Sequence, residues 1–561
     1  MPSPPFYLHT PSPRILLVTL NAKYIHASLG LRYLLANMAR HGGDDLRAMT
    51  ALREFTIQRP AQEVVDALLA ELESVPVDGA AQVIGFGVYI WNVVQTTEVV
   101  RLLKAKRPLV KVVLGGPEVS HELEGQDIVQ LADHVITGWG DVSFPKLCRA
   151  LIHGPQPLMK VIAGEQPALE NIALPYGEYS ETDLAHRVLY VEASRGCPFK
   201  CEFCLSALDK TAWAFDLDLF LAELASLYQR GARSFKFVDR TFNLKIDASI
   251  RVLQFFLDRL SADASQYITS PDLQLHFEVV PDHLPERLKT MLAQFPPGVL
   301  QLEIGIQSFN VEVQQRISRK QDNPTTEANL RWLVAHTHAH LHTDLIFGLP
   351  GETWQSFGEG FDRLHAIKPH EIQLGVLKRL RGTPLARRSL PGQVAEFDMA
   401  YDALPPYTVQ HTGAVTLEEV QTFIRLARYW DLVANSGRFV RTLALLVQGG
   451  SAFVEFAGFA QWLWTTAHAT SGLTPEALVD ALFDYLTGPR RLPPEVVRAA
   501  LLADYVASGA RSNPTALQGH LPQRPAPVSK TAGGLAARQA MHSQGNGIQS
   551  ALIHHRGEYI A

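Results

Sequence analysis

The sequence predicts an α/β protein made of an open doubly wound, Rossmann-like domain, a partial TIM barrel of six βα units and a helical C-terminal domain. Three observations predict this architecture. Apolar strand-like runs alternate with helix-like segments up to residue 151, the alternation resumes at residue 188, and strand signals disappear after residue 416. A chain of 561 residues is long enough for about three domains.

The first domain is predicted over residues 14–153, where helical patterns such as 29–38 and 94–103 separate five apolar runs. Continuous apolar runs are typical of parallel strands that are buried on both faces of a sheet. The five predicted strands are residues 15–20, 54–57, 83–90, 110–114 and 134–136. Residues 154–181, which are punctuated by Pro and Gly, are predicted to form a linker.

A second alternating series, over residues 182–400, predicts the barrel, because six βα repeats suit a TIM-like barrel or one left incomplete. Its predicted strands are residues 188–193, 234–238, 273–279, 300–306, 342–347 and 371–377, and its helices include residues 216–229, 248–260, 284–294 and 326–336.

Residues 401–507 are predicted to form the helical domain, with helical patterns at 417–432 and 475–485. Residues 1–13 are predicted to be an N-terminal tail. The last segment, 508–561, has one aromatic residue and five basic residues against one acidic residue, so it can bury little apolar surface. We expect most of that segment to be disordered.

The composition is typical of a soluble globular protein, with 47% hydrophobic and 19% charged residues. A formal net charge of −5 gives no reason to expect a nucleic-acid partner. We expect no membrane partner and a cytoplasmic protein, because no run reaches the ~18 apolar residues of a spanning helix and no signal-peptide pattern precedes the first domain. One of the four cysteines, Cys148, lies alone on a predicted helix among apolar neighbours, which indicates a buried structural thiol.

The segment RGCPFKCEFC, residues 195–204, holds the other cysteines, Cys197, Cys201 and Cys204, in a CxxxCxxC spacing after a predicted strand. Thiolates suit iron–sulfur clusters, zinc and cuprous copper. A structural zinc site needs a fourth ligand, and the nearest histidine, His186, precedes the strand. Three thiolates can instead hold three irons of a cubane cluster and leave the fourth iron open to a small molecule. Inert buried cysteines are disfavoured because the segment is polar and loop-like.

This motif, with the aromatic Phe203 just before the third cysteine, resembles that of the radical S-adenosylmethionine (SAM) enzymes. The resemblance implies a (βα)6 partial barrel and a [4Fe–4S] cluster on Cys197, Cys201 and Cys204. It also implies that SAM chelates the open iron through its amino and carboxylate groups. One electron from the cluster then cleaves SAM to a 5′-deoxyadenosyl radical.

Segments at other predicted strand ends support the resemblance, because the carboxyl ends of the strands line the active face of a parallel barrel. These segments are FVDRTF at 237–242, EIGIQS at 303–308 and DLIFGLPGET at 344–353. The family's usual Gly-Gly-Glu after the second strand is absent, and Asp239 or Arg240 is expected in its place. The SAM contacts that the resemblance implies are Phe203, Asp239, Arg240, Gln307, Ser308, Gly348 and Pro350.

The first domain lacks a GxGxxG motif after its first strand, which gives little support to a dinucleotide site. It resembles instead the cobalamin-binding domain of one large subgroup of radical SAM proteins. The pair Gly115 and Gly116 matches the glycines beside the cofactor's nucleotide tail, and GWGD at 138–141 resembles the subgroup's Gly-x-Gly-Glu. The implied cobalamin shell is Asn21, Tyr24, His26, Tyr89, Trp91, Gly115, Gly116, Glu118, Gly138 and Gly140.

His26 stands in a broken form of the DxHxxG motif, whose histidine ligates cobalt, because Tyr24 replaces the aspartate and the glycine falls at Gly30. Two interpretations of His26 stay open at this point. It either touches cobalt, or it forms part of the pocket wall or of the start of a helix.

The whole pattern resembles a branch of the cobalamin-binding radical SAM family that carries its own C-terminal helical domain. The leading hypothesis is methyl transfer to an unactivated carbon of a small-molecule or peptide substrate, with a flavodoxin or ferredoxin as electron donor. The alternatives are a radical cyclase or rearrangement enzyme without methyl transfer, and a non-catalytic cobalamin or metal sensor. No catalytic residue is identified, and the candidate substrate-side groups are Glu192, Glu278, Glu303, Lys378 and Arg379.

Overall fold

A parallel six-stranded sheet with helices on both faces forms the first part of the chain, as predicted. The computed structural model describes residues 14–73, 81–265, 273–388 and 397–521. The strand order is β2-β1-β3-β4-β5-β6, for β1 (Ile15–Asn21), β2 (Thr50–Thr56), β3 (Val83–Gly87), β4 (Lys111–Gly115), β5 (His134–Thr137) and β6 (Val161–Ala163). The helices are α1 (Leu29–Gly42), α2 (Asp44–Ala48), α3 (Ala61–Glu73), α4 (Val93–Lys106), α5 (Asp127–Leu131) and α6 (Ser143–His153).

Strand β1 lies between two apolar layers, because all seven of its residues are buried. Leu16 and Val18 belong to one hydrophobic cluster, to which α3 and α4 contribute. Ile15 and Leu17 belong to a second cluster, to which α1 and α6 contribute. Successive side chains of a strand point to opposite faces, so this alternation establishes a doubly wound sheet.

Strand β6 was not predicted, since it lies inside the predicted linker. It pairs in parallel with β5, with Ile136 opposite Ile162. Its three residues are exposed or half-buried, and so short an edge strand leaves no apolar run in the sequence. Strand β2 starts at Thr50, four residues before the predicted start. The prediction missed its first half because most of its residues are only half-buried and polar residues interrupt the apolar pattern.

The second sheet also has six strands, in the order β14-β13-β12-β11-β10-β7, and the prediction of a partial barrel is confirmed. Its strands are β7 (Leu189–Val191), β10 (Ser234–Phe237), β11 (Gln274–Val279), β12 (Leu300–Gln307), β13 (His340–Phe347) and β14 (Glu371–Val376). Between β7 and β10 lies a hairpin of β8 (Ser194–Arg195) and β9 (Trp213–Ala214). The helices from the linker onward are α7 (Glu181–His186), α8 (Leu217–Gln229), α9 (Ile246–Ser265), α10 (Glu286–Leu292), α11 (Val311–Arg316), α12 (Asn323–His336), α13 (Trp354–His365) and α14 (Pro384–Arg388).

The described chain divides into two units, and this division differs from the predicted domain boundaries. Unit 1 contains residues 14–240, 379–388 and 402–407, with the gap at 74–80. Unit 2 contains residues 241–378, 397–401 and 408–521, with the gap at 266–272. The segment 379–388, which was predicted to belong to the barrel, falls in unit 1 together with the first domain and with strands β7 and β10.

The C-terminal region of unit 2 is helical, as predicted. Its helices α15 (Leu417–Val433), α16 (Val440–Leu446), α17 (Ala452–Ala467), α18 (Pro475–Thr487) and α19 (Pro494–Ala507) follow a small antiparallel pair, β15 (Ala400–Tyr401) and β16 (Val409–His411). Phe423 of α15 stacks on Phe347 of β13, with 4.2 Å between ring centroids. Aromatic packing therefore joins the helices to the barrel strands.

Part of the predicted C-terminal tail has a described structure, since Leu517 is fully buried. The predicted N-terminal tail, 1–13, and the rest of the C-terminal tail, 522–561, lie outside the described residues. Over the described ranges, none of the helices combines the length and the apolar character needed to cross a bilayer.

Candidate functional site

The cysteine loop, residues 196–212, projects from the β8–β9 hairpin in unit 1. The hairpin pairs Ser194 with Ala214 and Arg195 with Trp213, which closes both ends of the loop. The amide of Cys197 donates to the carbonyl of Asp209 at 2.8 Å. The loop is therefore held at its base while its cysteines lie beyond the strand end.

The Cys197 thiol lies near enough to the other two thiols for both to affect its pKa. Burial is the main cause that raises the pKa of Cys197, and the Cys204 and Cys201 thiols raise it further. Arg240 acts in the opposite direction. Cys197 and Cys201 are buried, and Cys204 is half-buried.

This donor set fits a polynuclear cluster. A single zinc ion needs its ligands to converge at about 2.0 to 2.3 Å from one point. Among the residues that the structure describes, no three His, Cys, Asp or Glu side chains converge in that way. Thiolates that each bind a different iron need no common point, and a loop with three neighbouring thiols meets that requirement.

A cavity of about 260 Å³ opens at the carboxyl ends of the strands of the first domain, on the face covered by α1 and α6. Its lining is rich in glycine. A Cβ at Gly116, whose φ is +112°, would lie 2.5 Å from the carbonyl oxygen of Val88. Only glycine allows this backbone conformation and this close approach. The glycines fit the nucleotide tail of a cobalamin, which requires room beside the backbone.

Five of the ten predicted cobalamin residues line this cavity. They are Tyr89, Gly115, Gly116, Gly138 and Gly140. Trp91 is not in the lining, but it stacks on Tyr89 with 4.4 Å between ring centroids and is 48% exposed. An exposed aromatic ring at this point leaves a flat surface next to the cavity.

His26 contacts the barrel strand β7 and is not part of the cavity lining. Its Nδ1 shares a 2.8 Å hydrogen bond with the hydroxyl of Tyr190. Burial, with the charges of Lys23 and Lys236, lowers the pKa of His26. His26 therefore lies between the loop after β1 and strand β7, and both interpretations of it, as a cobalt contact or as part of the pocket wall or helix start, stay predictions.

Asn21 and Tyr24 shape the loop after β1 and do not line the cavity. Asn21 Nδ2 donates to the carbonyl of His26 and to Glu54. The ring of Tyr24 lies 4.6 Å from the guanidinium carbon of Arg187. Both side chains therefore have structural partners outside the cavity, Glu54 on β2 and Arg187 after α7.

Glu118 has partners that the sequence did not indicate. Its Oε1 accepts hydrogen bonds from Arg381 Nε and from the hydroxyl of Tyr407, each at 2.8 Å. Neighbouring Glu122 pairs with Arg379, one of the substrate-side candidates, at 2.8 Å. As a cobalamin contact, Glu118 stays a prediction, because its carboxylate already has two donors.

We name residues 379–388 the strap, because this segment joins two loops of unit 1. Its first half binds Glu118 and Glu122, which follow the glycine pair of β4. In its second half, the amide of Leu385 donates to the carbonyl of Glu202, and Arg388 forms two contacts of 3.0 and 3.1 Å with the Glu202 carboxylate. No spacing in the sequence could reveal these pairs, because their members are far apart along the chain.

Asp239, a predicted SAM contact, is 3% exposed. Its carboxylate accepts hydrogen bonds from the amide of Ala193 and the hydroxyl of Ser194, directly before the cysteine loop. Burial raises the pKa of Asp239 to about 7, although both hydrogen bonds act against this shift. The side chain supports the turn into the loop, and its contact with SAM stays a prediction. Arg240 is exposed and Phe203 is half-buried.

In unit 2, Gln307 combines two features of a ligand site. Its φ is +71° at a break in the register of β12, and its Oε1 is buried without a hydrogen-bond partner among the described residues. A strained residue with an unsatisfied polar atom is typical of functional positions. The guanidinium of Arg319, which was not among the predicted site residues, donates to the carbonyl of Gly305, two residues before Gln307.

The other predicted SAM residues of unit 2 lie in two neighbouring turns. The hydroxyl of Ser308 donates to the buried Glu352. Gly348 has a φ of +84°, and a Cβ there would lie 2.6 Å from Val409. Pro350 is buried. These contacts give the turns after β12 and β13 a defined structure.

One face of strands β11 to β14 carries paired histidines and carboxylates. His276 contacts Glu303 at 2.7 Å, and His342 lies between Asp344 at 3.3 Å and Glu371 at 3.5 Å. These two carboxylates raise the pKa of His342 to about 10, against the effect of burial. Glu303 was among the predicted substrate-side residues, but the histidines were not, because strand register alone brings them together.

The remaining substrate-side candidates have different surroundings. Glu192 accepts a hydrogen bond from Arg195, Lys378 pairs with Thr408 as an isolated backbone bridge, and Glu278 lies opposite Glu303 in the register of β11 and β12. Their roles toward a substrate stay predictions.

Sequence-family models agree with this arrangement. Residues 15–148 match the B12 binding domain, residues 191–364 match the radical SAM superfamily, and residues 395–531 match a family of proteins of unknown function, DUF4080. The fold and these matches define a protein with a cobalamin domain in front of a radical SAM domain. The chain therefore carries both domains of the cobalamin-binding radical SAM family, as predicted, and the cofactors of these domains are a [4Fe–4S] cluster, SAM and cobalamin.

Two curated relatives are methyltransferases. The chain is 23% identical over 483 residues to the cobalamin-dependent radical SAM methyltransferase TokK of Streptomyces tokunonensis, which covers 79% of this chain and 65% of TokK. It is also 23% identical over 349 residues to the 2-(S-pantetheinyl)-carbapenam-3-carboxylate methyltransferase of Streptantibioticus cattleyicolor, with 56% and 49% of the two chains covered. The chain thus spans less than two thirds of the length of each of these relatives.

Solved structures share the fold. The cobalamin-dependent SAM radical enzyme OxsB with aqua-cobalamin superposes with a TM-score of 0.53 at 11% identity, covering 95% of this chain and 84% of OxsB. The radical SAM methyltransferase TsrM from Kitasatospora setae, with tryptophan substrate and a SAM analogue, gives a TM-score of 0.51 at 16% identity, covering 66% and 75%.

Proposed function

We propose that this protein is a cobalamin-dependent radical SAM methyltransferase that transfers a methyl group from SAM to an unactivated carbon. The observation that supports this proposal most directly lies within unit 1. The cysteine loop and the glycine-lined cavity adjoin, and Arg195 belongs to both, since it lines the cavity and stands two residues before Cys197. Two cofactor sites that share a residue suit a reaction that uses both cofactors.

In this proposal, Cys197, Cys201 and Cys204 hold the cluster. When bound, the three cofactors supply one-electron cleavage of SAM and methyl transfer through cobalt. The chain's own residues bind and orient them. Gln307 offers an unsatisfied amide oxygen to SAM, and Gly115 and Gly116 keep the cobalamin tail next to the backbone.

The buried position of Cys197 and Cys201 limits the access of water and oxygen to the cluster loop. The names of the relatives support methyl transfer as the reaction. A cytoplasmic location, a flavodoxin or ferredoxin as electron donor, and a small-molecule or peptide substrate belong to the same proposal.

The test is anaerobic reconstitution with iron, sulfide and cobalamin, followed by incubation with methyl-labelled SAM, a strong chemical reductant and a panel of small molecules and peptides. We expect 5′-deoxyadenosine together with label in a product. Deoxyadenosine without transferred label in any product would favour a cyclase or rearrangement enzyme. A loaded protein that never cleaves SAM would favour a cobalamin or metal sensor. The variant Cys201→Ala is the matched control and should give neither product.

A further inference from the structure

Arg195 occupies an unusual position between two functional elements of unit 1. Its side chain lines the cavity of the first domain, and its backbone pairs with Trp213 at the base of the cysteine loop. A movement of Arg195 in the cavity wall would therefore also move the start of the cysteine loop at Gly196.

The guanidinium of Arg195 is held from several sides. It donates two hydrogen bonds to Asp141, at 2.8 and 3.1 Å, and one to Glu192 at 2.8 Å. Exposed fractions of the Arg195 and Asp141 side chains are 14% and 6%. The rings of Tyr33 and Trp139 lie 4.3 and 4.9 Å from its guanidinium carbon.

These contacts resist independent movement of the two elements. Asp141 belongs to the GWGD segment at the rim of the cavity, and it would become a buried, unpaired carboxylate if Arg195 moved away. The planar guanidinium can make its two-pronged contact with Asp141 in one orientation only. The cavity rim and the base of the cysteine loop are therefore expected to shift together.

A second contact connects the same two elements. Trp139, which also lines the cavity, donates from Nε1 to Asp209 Oδ2 at 2.9 Å. Asp209 in turn accepts the amide of Cys197 through its backbone carbonyl. Trp139 of the cavity lining is thus connected to Cys197 through two hydrogen bonds of Asp209, one to its side chain and one to its backbone carbonyl.

We propose that Arg195 is a positioning residue whose pairing with Asp141 couples cobalamin binding energetically to the cluster-bearing form of the cysteine loop. This inference rests on the proposed function for the identity of the two cofactors. A ligand that makes the cavity wall rigid also makes the base of the cysteine loop rigid. Binding of one cofactor therefore lowers the conformational entropy that is lost when the other cofactor binds. Because such coupling is reciprocal, it can be measured from either site.

The experiment measures the dissociation constant of hydroxocobalamin for the full chain, under nitrogen, before and after cluster reconstitution. In the natural sequence we expect the cluster to tighten cobalamin binding by about five-fold or more, the lower range of known couplings. In Asp141→Asn, which keeps the shape of the side chain but removes its charge, the ratio should fall below about two-fold. Arg195→Lys should behave in the same way, because it keeps the charge and loses the two-pronged contact.

The matched control is Glu165→Gln, which removes the exposed Lys146–Glu165 ion pair of the same unit and should keep the natural ratio. Circular dichroism checks that each variant is folded, and Arg195→Lys decides the outcome if Asp141→Asn does not fold. A ratio near one in the natural chain, or a natural ratio in both folded variants, would overturn the inference while leaving the proposed function intact. Absence of cobalamin binding in every state would instead contradict the proposed function.

Discussion

The Glu118 carboxylate and the Arg381 guanidinium form a mostly buried ion pair, with 2.8 Å between Oε1 and Nε, although 263 positions separate them in the sequence. Tyr407 donates to the same carboxylate oxygen. The pair attaches the strap to the loop that follows the glycine pair of the cavity. The strap is therefore part of the structure around the cavity.

Replacing Glu118 with Gln should destabilise unit 1, because Arg381 would lose its close counter-charge at 2.8 Å and keep only the more distant Glu122 carboxylate at 3.7 Å. Removing one member of a buried pair costs about 3 kcal/mol, and the partial exposure of Arg381 reduces this to about 2 kcal/mol. Thermal unfolding should show a lower Tm for Glu118→Gln. The control Glu98→Gln, in the exposed pair with Arg101, should leave Tm unchanged within about 1 °C. Equal effects of the two substitutions would contradict a structural role of the strap.

Single replacement of Cys197, Cys201 or Cys204 by Ala should abolish cluster assembly, because two thiolates cannot hold three irons. Iron content and the visible absorption of the reconstituted protein measure the loss. Cys148→Ala is the control. Cys148 lies on α6 and is fully buried in a hydrophobic cluster, so the Cys148→Ala variant should keep a natural iron content. An iron loss in Cys148→Ala alone would refute the assignment of the loop.

Replacing Gln307 with Ala or Gly tests its role at the SAM site. Both substitutions remove the amide oxygen and should weaken SAM binding about ten-fold, measured by equilibrium dialysis, since one good hydrogen bond contributes about 1 kcal/mol or more. Only Gln307→Gly should also raise Tm, because a φ of +71° costs a side chain roughly 1 kcal/mol that glycine does not pay. Unchanged SAM affinity in both variants would remove Gln307 from the site.

His342 should make the stability of unit 2 depend on pH. The Asp344 and Glu371 carboxylates raise its pKa to about 10 from an ordinary value of 6.5. A raised pKa in the folded state means that the stabilisation is complete below pH 6.5 and is lost as the pH rises toward 10. Tm should fall over this range in the natural chain and fall less in His342→Gln. Parallel Tm curves for the two proteins would show that His342 is not protonated between its carboxylates.

The first sheet was largely predictable because four of its strands, β1, β3, β4 and β5, are mostly buried local apolar runs. Strand β1 is buried on both faces, so its sequence from Ile15 to Leu20 is apolar except for Thr19. Strand β6 was missed because an exposed three-residue edge strand leaves no such run. The CxxxCxxC spacing was equally readable, since neighbouring positions in one loop are neighbours in space as well.

The sequence by itself determined the order of domains, the three-thiol motif and the glycine positions at the strand ends, because each depends on residues that are close along the chain. The tertiary structure alone decided the pairing of Arg195 with Asp141, the return of the strap to Glu118, and the placement of His342 between two carboxylates. Those contacts join distant segments, and long-range pairing depends on strand register and chain crossover, which local patterns of polarity do not encode.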